Sequence, residues 1–316
     1  MVEYDDRDLI PMRFIVPARY HGWRLDHFIS ARIPRLSRNR VQQMLRLQAR
    51  WSGQILKPAQ RVFFGQQIEL LRPAPVEPEV PRDFDVLYED EYLMAIDKPA
   101  GLPVHATARF LRNTLTALLR ERYPANTPTL CHRLDRETSG VMMLARDKSA
   151  EIALKADFFH RRVSKCYIAI CWGDPGESGV IDSPISEDSQ SGIRIKMRTG
   201  AGGQPACTRY RRLERRGDYS LVEAVPLSGR QHQIRVHLAS VGAPIVGDKI
   251  YGPDPHCLLR YLDEGWSDEL GELLELPRHA LHAARIGFTH PISGERISLE
   301  APLASELQAF WRALAG

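Results

Sequence analysis

Cysteine is sparse: five residues in 316, at positions 131, 166, 171, 207 and 257, with no Cys-x-x-Cys pair. An odd, scattered set suggests neither a disulfide framework nor a zinc knuckle, so these are read as reduced thiols. Long apolar runs are missing too. The longest, such as Cys166 to Trp172, fall far short of the roughly 20 residues that span a bilayer. The first residues carry Glu3, Asp5 and Asp6 in place of a basic start and an apolar core. No membrane association is expected, and the cytoplasm is the default compartment. Gly200 to Gly203 has no strand before it and no helix after it, so it does not qualify as a phosphate-binding loop. His232 and His237 are five apart and miss the i, i+4 spacing of a helical zinc pair. Neither a nucleotide cofactor nor a metal is expected.

Charge of one sign is also in small excess, 43 Lys and Arg against 39 Asp and Glu. Its placement says more than its sum. From Arg19 to Arg50 eight arginines (19, 24, 32, 35, 38, 40, 46 and 50) meet one acid, Asp26, the local footprint of a nucleic-acid contact. A solvated, arginine-rich helical hairpin is the plainer alternative. Leu25, Phe28, Ile29 and Ile33 recur at helical spacing, and Ser37 can cap a second helix with Val41, Met44 and Leu45 on its apolar face. A turn at Trp51 to Gln54 and an alternating segment, Arg61 to Leu71, follow. Pro73, Pro75, Pro78 and Pro81 then exclude helix or central strand. The expected organisation is a first domain over 1–72, a linker over 73–84 and a second domain over 85–316.

In the second domain, Val86–Tyr88 and Leu93–Ile96 flank an acidic turn and predict a hairpin. Asn113 is placed to cap a helix carrying Leu115, Leu118 and Leu119. A helix is expected from about Ser149 to His160, and a strand over Lys165–Trp172 with Tyr167, Ala169 and Cys171 on one face. The polar stretch 182–203 reads as a loop, with Gly200–Gly203 a mobile turn that lies near nucleic acid because Arg194, Lys196 and Arg198 precede it. Strands follow at 208–214 and 219–225. Ile234, Leu238 and Val241 sit at helical spacing before Gly242, which places Arg235 on a short helix. An acidic, helix-like insertion spans 261–276. Two strands, 285–289 and 296–300, and a helix from about 304 to 314 complete the domain.

The stretch that organises the chain is Leu130 to Gly140, a charged loop feeding the apolar run Val141–Ala145. An Asp between two arginines is commonly a surface ion pair. The His-Arg-Asp loop of kinases does not fit, because the Asp comes one place late and no Asn follows at the required spacing. His132-Arg133-Leu134-Asp135-Arg136-Glu137-Thr138-Ser139-Gly140 instead resembles the signature of the RluA-type pseudouridine synthases, with the central Asp at Asp135. Further segments extend the likeness: Lys98-Pro99-x-Gly101 through His105, Lys165-x-Tyr167-x-Ala169, Gly229-Arg230-x-His232-Gln233-Ile234-Arg235-x-His237, Pro244–Asp248 and Tyr251-Gly252. It runs from about 85 to 302. In the first domain, Arg24-Leu25-Asp26, Ser37-Arg38 and Gly65–Leu70 are similar to the RNA-binding domain named for small-subunit ribosomal protein S-four, although Trp51-Ser52-Gly53 departs from its turn.

The fold expected is α+β: a mixed, largely antiparallel sheet with flanking helices as catalytic domain, preceded by a small α/β RNA-binding domain. The resemblance implies isomerisation of uridine to pseudouridine in structured RNA, with no cofactor and no metal. It assigns the catalytic carboxylate to Asp135, base stacking and a possible share in proton removal to Tyr167, and an ion pair with the Asp to Arg235. Arg133 becomes the candidate for filling the space of a flipped base, and Arg136, Arg230, Arg38 and Arg40 the candidate RNA contacts. Large-subunit ribosomal RNA is the first expectation as substrate and transfer RNA the second, acted on by a monomer. Two readings of other classes stand beside it. A non-catalytic RNA-binding or ribosome-assembly protein fits the first domain equally well. A glycosidase or nucleosidase needs a second carboxylate to activate water, for which Glu137 is the nearby candidate.

Overall fold

Apolar residues alternating through the first and last strands of the amino-terminal unit make them an antiparallel pair. In the computed structural model, β1 (Leu9–Ile15) pairs with β4 (Gln67–Pro73) along its whole length. The structure describes residues 9–33, 41–42, 45, 49–51, 53–73, 77–107 and 109–314. It divides into two units, Met1–Glu77 and Pro78–Gly316, with the division inside the proline-rich stretch. In the first unit β2 (Ala49–Trp51) and β3 (Gln54–Ile55) complete a sheet of order β1-β4-β2-β3. The helix Leu25–Arg32 forms where the apolar spacing predicts it, and buries Leu25, Phe28 and Ile29 against Ile68 and Leu70. Asp26, the single acid among the arginines, is itself buried. Arg24 donates two bonds to it, at 3.0 and 2.8 Å, and these hold its carboxyl down to about 2 against the opposing effect of burial. One of the eight arginines thus has an internal task. Ser37, Arg38 and Arg40 lie outside the described residues.

The larger unit is α+β. Its main sheet runs β10 (Ser178–Asp182), β13 (Cys207–Arg216), β14 (Tyr219–Pro226), β9 (Ser164–Trp172), β15 (Leu281–Thr289), β8 (Ser139–Ala145), β6 (Leu93–Lys98), β5 (Asp85–Glu89). β16 (Arg296–Glu300) pairs with β15, and β7 (Thr129–Leu130) with β8. Among the described residues the pairings are antiparallel except one, β15 with β8, where His282 faces Ser139 and Ala283 faces Gly140. At that junction Gly140 takes φ +108°, and a Cβ there would stand 2.2 Å from the Ala283 carbonyl oxygen. Only glycine lets the two strands close, and that closure seats the loop before Gly140 over the sheet centre. Apolar side chains fill the two sides of β8: Met142 and Leu144 pack with Leu115 and Leu119, Val141 and Met143 with Ala150 and Leu154.

Two local expectations are corrected, and a third, the helical character of the acidic insertion, is made more specific. The stretch 182–203 is built around a two-stranded antiparallel ribbon, β11 (Ile185–Glu187) with β12 (Met197–Thr199), anchored because Ile185 packs with Val236, Ile250 and Tyr251. The helix Leu115–Arg122 is capped by Thr114, whose hydroxyl accepts from the Ala117 amide at 3.2 Å. Asn113 instead donates to the Pro78 carbonyl at 2.8 Å. The acidic insertion is two helices, Cys257–Glu264 and Asp268–Leu274, the second capped by Ser267.

Candidate active site

The loop between β7 and β8 is held from both flanks. On one side the His132 Nε2 accepts the Met143 amide at 2.9 Å while its ring stacks on Phe158, centroids 4.6 Å apart. Burial, with the charge of Lys165 nearby, brings this imidazole down to about 3, so it is neutral. On the other side the buried Lys98 spends its three ammonium protons on the carbonyls of Pro99, Leu102 and Arg136, at 2.7, 3.0 and 3.2 Å. Glu137 takes Lys249 at 3.0 and 3.1 Å and Arg136 at 2.8 Å. The Lys249 ammonium lies 5.0 Å from the Tyr261 ring and 5.9 Å from that of Trp266, so the two-helix insertion covers this anchor. Glu137 is therefore bound up in structure and is poorly placed to activate water.

Arg235 reaches the loop from the helix Gln233–Ser240. His232 precedes that helix in the left-handed region, φ +54°. Gln233 fixes the turn by accepting from Ser228 Oγ at 2.6 Å and donating to the Cys207 carbonyl at 2.9 Å. The guanidinium is shared between two acids. Nε and Nη2 donate to Asp248 at 2.6 and 2.8 Å, and Nη1 donates to Asp135 Oδ2 at 2.9 Å. Asp248 Oδ1 also accepts the amides of Ile250 and Tyr251 at 2.9 and 3.1 Å. The Tyr251 ring lies 5.2 Å from the guanidinium carbon, and its hydroxyl is 3.0 Å from His232 Nδ1. Burial alone would raise the Asp135 carboxyl. The Arg235 charge, with smaller help from His232 and His279, holds it down to about 2. It is an anion at neutral pH.

Asp135, Tyr167 and Arg235 line one cleft of about 1080 Å³, together with Arg133 and Arg230. Three segments remote in sequence are thus brought together. Tyr167 comes from β9, and burial followed by the Asp135 charge pushes its phenol well above the usual tyrosine range. Arg136 is placed differently, paired with Glu137 and 5.7 Å from the Phe110 ring, and does not line the cleft.

The family model described as RNA pseudouridylate synthase matches residues 92–240. An uncharacterised RNA pseudouridine synthase of Chloroflexus aurantiacus is 38% identical over 95% of this chain and 92% of its own length. The chain belongs to the RNA pseudouridylate synthase family. A protein of Xanthomonas campestris named ribosomal large subunit pseudouridine synthase D is 36% identical over 95% of this chain and 91% of its own length. Among solved structures, human RNA pseudouridylate synthase domain containing 4 is 31% identical, with a TM-score of 0.58 over 73% of this chain and 92% of that one. The chain is thus an RNA pseudouridine synthase, an isomerase acting on RNA.

Two features of the synthase cleft escape a reading of the sequence. Asp248 follows Gly247 in a stretch that reads as a turn, and nothing in its spacing announces a partner for Arg235. The second feature is the cleft's charge. Among the described residues seven cations (Arg133, Arg161, Arg162, Lys165, Arg230, Arg235 and Arg296) line it against one carboxylate, Asp135, although they come from four separate segments. Lys165 donates to the Ser228 carbonyl at 3.1 Å, and burial lowers its ammonium to about 8. Among the described residues no group of three or more His, Cys, Asp or Glu is arranged to hold a metal ion, and no helix is long and apolar enough to cross a membrane.

Proposed function

We propose that this synthase isomerises uridine in large-subunit ribosomal RNA, with Asp135 as its catalytic carboxylate. The observation that carries the reading is the single 2.9 Å bond from Arg235 to Asp135, inside a cleft that is otherwise cationic. The reaction breaks the bond from N1 to C1′, turns the uracil, and joins C5 to C1′. The proton lost from C5 is balanced by the one gained at N1, and nothing is oxidised or imported. A carboxylate suits a sugar carbon that gains positive character, as nucleophile or as electrostatic partner.

Asp248 occupies two of the guanidinium donors, so Arg235 offers Asp135 one bond and no bidentate clasp. Oδ1 of Asp135 receives no hydrogen bond among the described residues. The carboxylate is thus kept ionised without being neutralised on both oxygens. Tyr167 stacks on the held uracil; with its phenol pushed upward it stays protonated, which weighs against a phenolate base. Extruding the target costs a few kcal/mol, and Arg133 at the cleft is the side chain to fill the gap. Arg230 and the amino-terminal unit, including Arg38 and Arg40, contribute phosphate contacts.

Ribosomal RNA is favoured over transfer RNA because the Xanthomonas relative, similar over nearly the whole chain, is named for the large subunit. Carbodiimide mapping of pseudouridine in a strain lacking this protein tests the reading. Sites should vanish from large-subunit ribosomal RNA, return with the wild-type chain, and stay absent with Asp135→Asn. Loss confined to transfer RNA would overturn the substrate assignment.

A further inference from the structure

We propose that Phe159 is a stacking platform for an unpaired RNA base beside the target uridine, a proposal that rests on the RNA site described above. The helix Lys148–Phe159 ends in two phenylalanines with opposite surroundings. Phe158 is packed beneath the Asp135 loop, its ring 27° from the plane of His132. Phe159 lines the same cleft yet is 82% exposed. An apolar ring left in water at the rim of an active cleft has an unmet opportunity for burial, and the cleft decides what can supply it.

The backbone holds the ring there. The His160 amide closes the last helical turn onto the Ala156 carbonyl at 2.8 Å. Arg161 then turns into the left-handed region, φ +60°, a position where glycine is the usual occupant. That reversal brings Arg161 and Arg162 to the cleft beside the ring. Arg162 is steadied by Asp157, at 2.7 Å from Nε and 2.6 Å from Nη2. Arg161, Arg133 and Arg296 make no ion pair among the described residues. An exposed aromatic face set among cations is the combination that binds single-stranded nucleic acid: charges follow the phosphates and the ring accepts a base of any identity. Extrusion of the target uridine breaks the stack beside it; Arg133 fills the vacated space, and a neighbouring base displaced towards the rim finds a stacking partner in Phe159.

A protein partner is the competing occupant, and Ile152 tells the two apart. It is 62% exposed on the same helix, two turns before Phe159, but does not line the cleft. A protein face would cover both residues, whereas a stacked base covers Phe159 alone.

Binding of a short single-stranded oligouridylate and of an RNA duplex of equal length to the full chain tests this. Phe159→Ala should weaken single-strand binding by roughly 5- to 150-fold, the span expected for one stacked base, with duplex binding and salt slope unchanged. Phe159→Trp should restore affinity, and Ile152→Ala should have no effect. Unchanged single-strand affinity in Phe159→Ala, equal losses on the duplex, or equal losses in Ile152→Ala would each overturn the platform. In turnover, Phe159→Ala should raise KM and spare kcat. Failure of the catalytic reading would appear separately, as product formation by Asp135→Asn, and would leave these binding results standing.

Discussion

Arg235 stands between two aspartates that the protein treats differently. On the side of the helix and its following loop, Asp248 is fully buried and accepts four hydrogen bonds, two from the guanidinium and two from backbone amides. On the side of the cleft, Asp135 keeps one guanidinium bond and a side-chain exposure of 26%. Two identical side chains meet the same cation, yet one is satisfied completely and the other is held ready. Completeness of hydrogen bonding, more than residue type, separates the structural carboxylate from the reactive one.

Removing the satisfied side should be the costlier change for folding. Asp248→Ala leaves the buried guanidinium without its double partner, a loss of about 3 to 5 kcal/mol. Urea unfolding of the full chain would measure it. A cost close to zero would mean that Asp248 does not anchor Arg235, and the contrast between the two sides would disappear.

Acid should act on both sides with a known sign. Both carboxyls lie below their ordinary value of 3.8, Asp135 at about 2 and Asp248 lower still. Their stabilisation is fully present above that value and is lost as pH falls through the folded values, because the unfolded chain then binds more protons. The share of Asp135 is on the order of 2 kcal/mol. Urea midpoints between pH 6 and about pH 2 should fall less steeply for Asp135→Asn than for the wild type. An equal slope would show that Asp135 is not held ionised by its surroundings.

Tyr167 sharpens the reactive side with a smaller effect. Its protonated phenol favours stacking, so Tyr167→Phe should lie within a few-fold of wild-type turnover. Tyr167→Ala should lose about 1 to 3 kcal/mol of uracil binding, read as a higher KM. Equal losses in the two variants would shift the weight to the hydroxyl.

Much of the reactive side was legible in the sequence. Ile234 and Leu238 before Gly242 place Arg235 on a helix, and that helix forms. The alternation around Tyr167 makes a strand, which β9 is. Asp248 was not legible as a partner, because its bonds to Arg235 depend on a loop whose course only tertiary packing decides. The same holds for the parallel pairing of β15 with β8, made between residues some 140 positions apart and permitted by Gly140. Composition misled at 182–203, where glycine and serine hide a ribbon pinned by Ile185. One-residue choices such as Thr114 over Asn113 turn on where neighbouring carbonyls lie.

Single-turnover conversion of uridine by purified Asp135→Asn, on an RNA that the wild-type chain modifies, addresses the reactive carboxylate directly. The expected result is a folded protein that binds the RNA within a few-fold of wild type and forms product on the order of 10⁴-fold more slowly, or not at all. Turnover within tenfold of wild type would contradict the role given to Asp135.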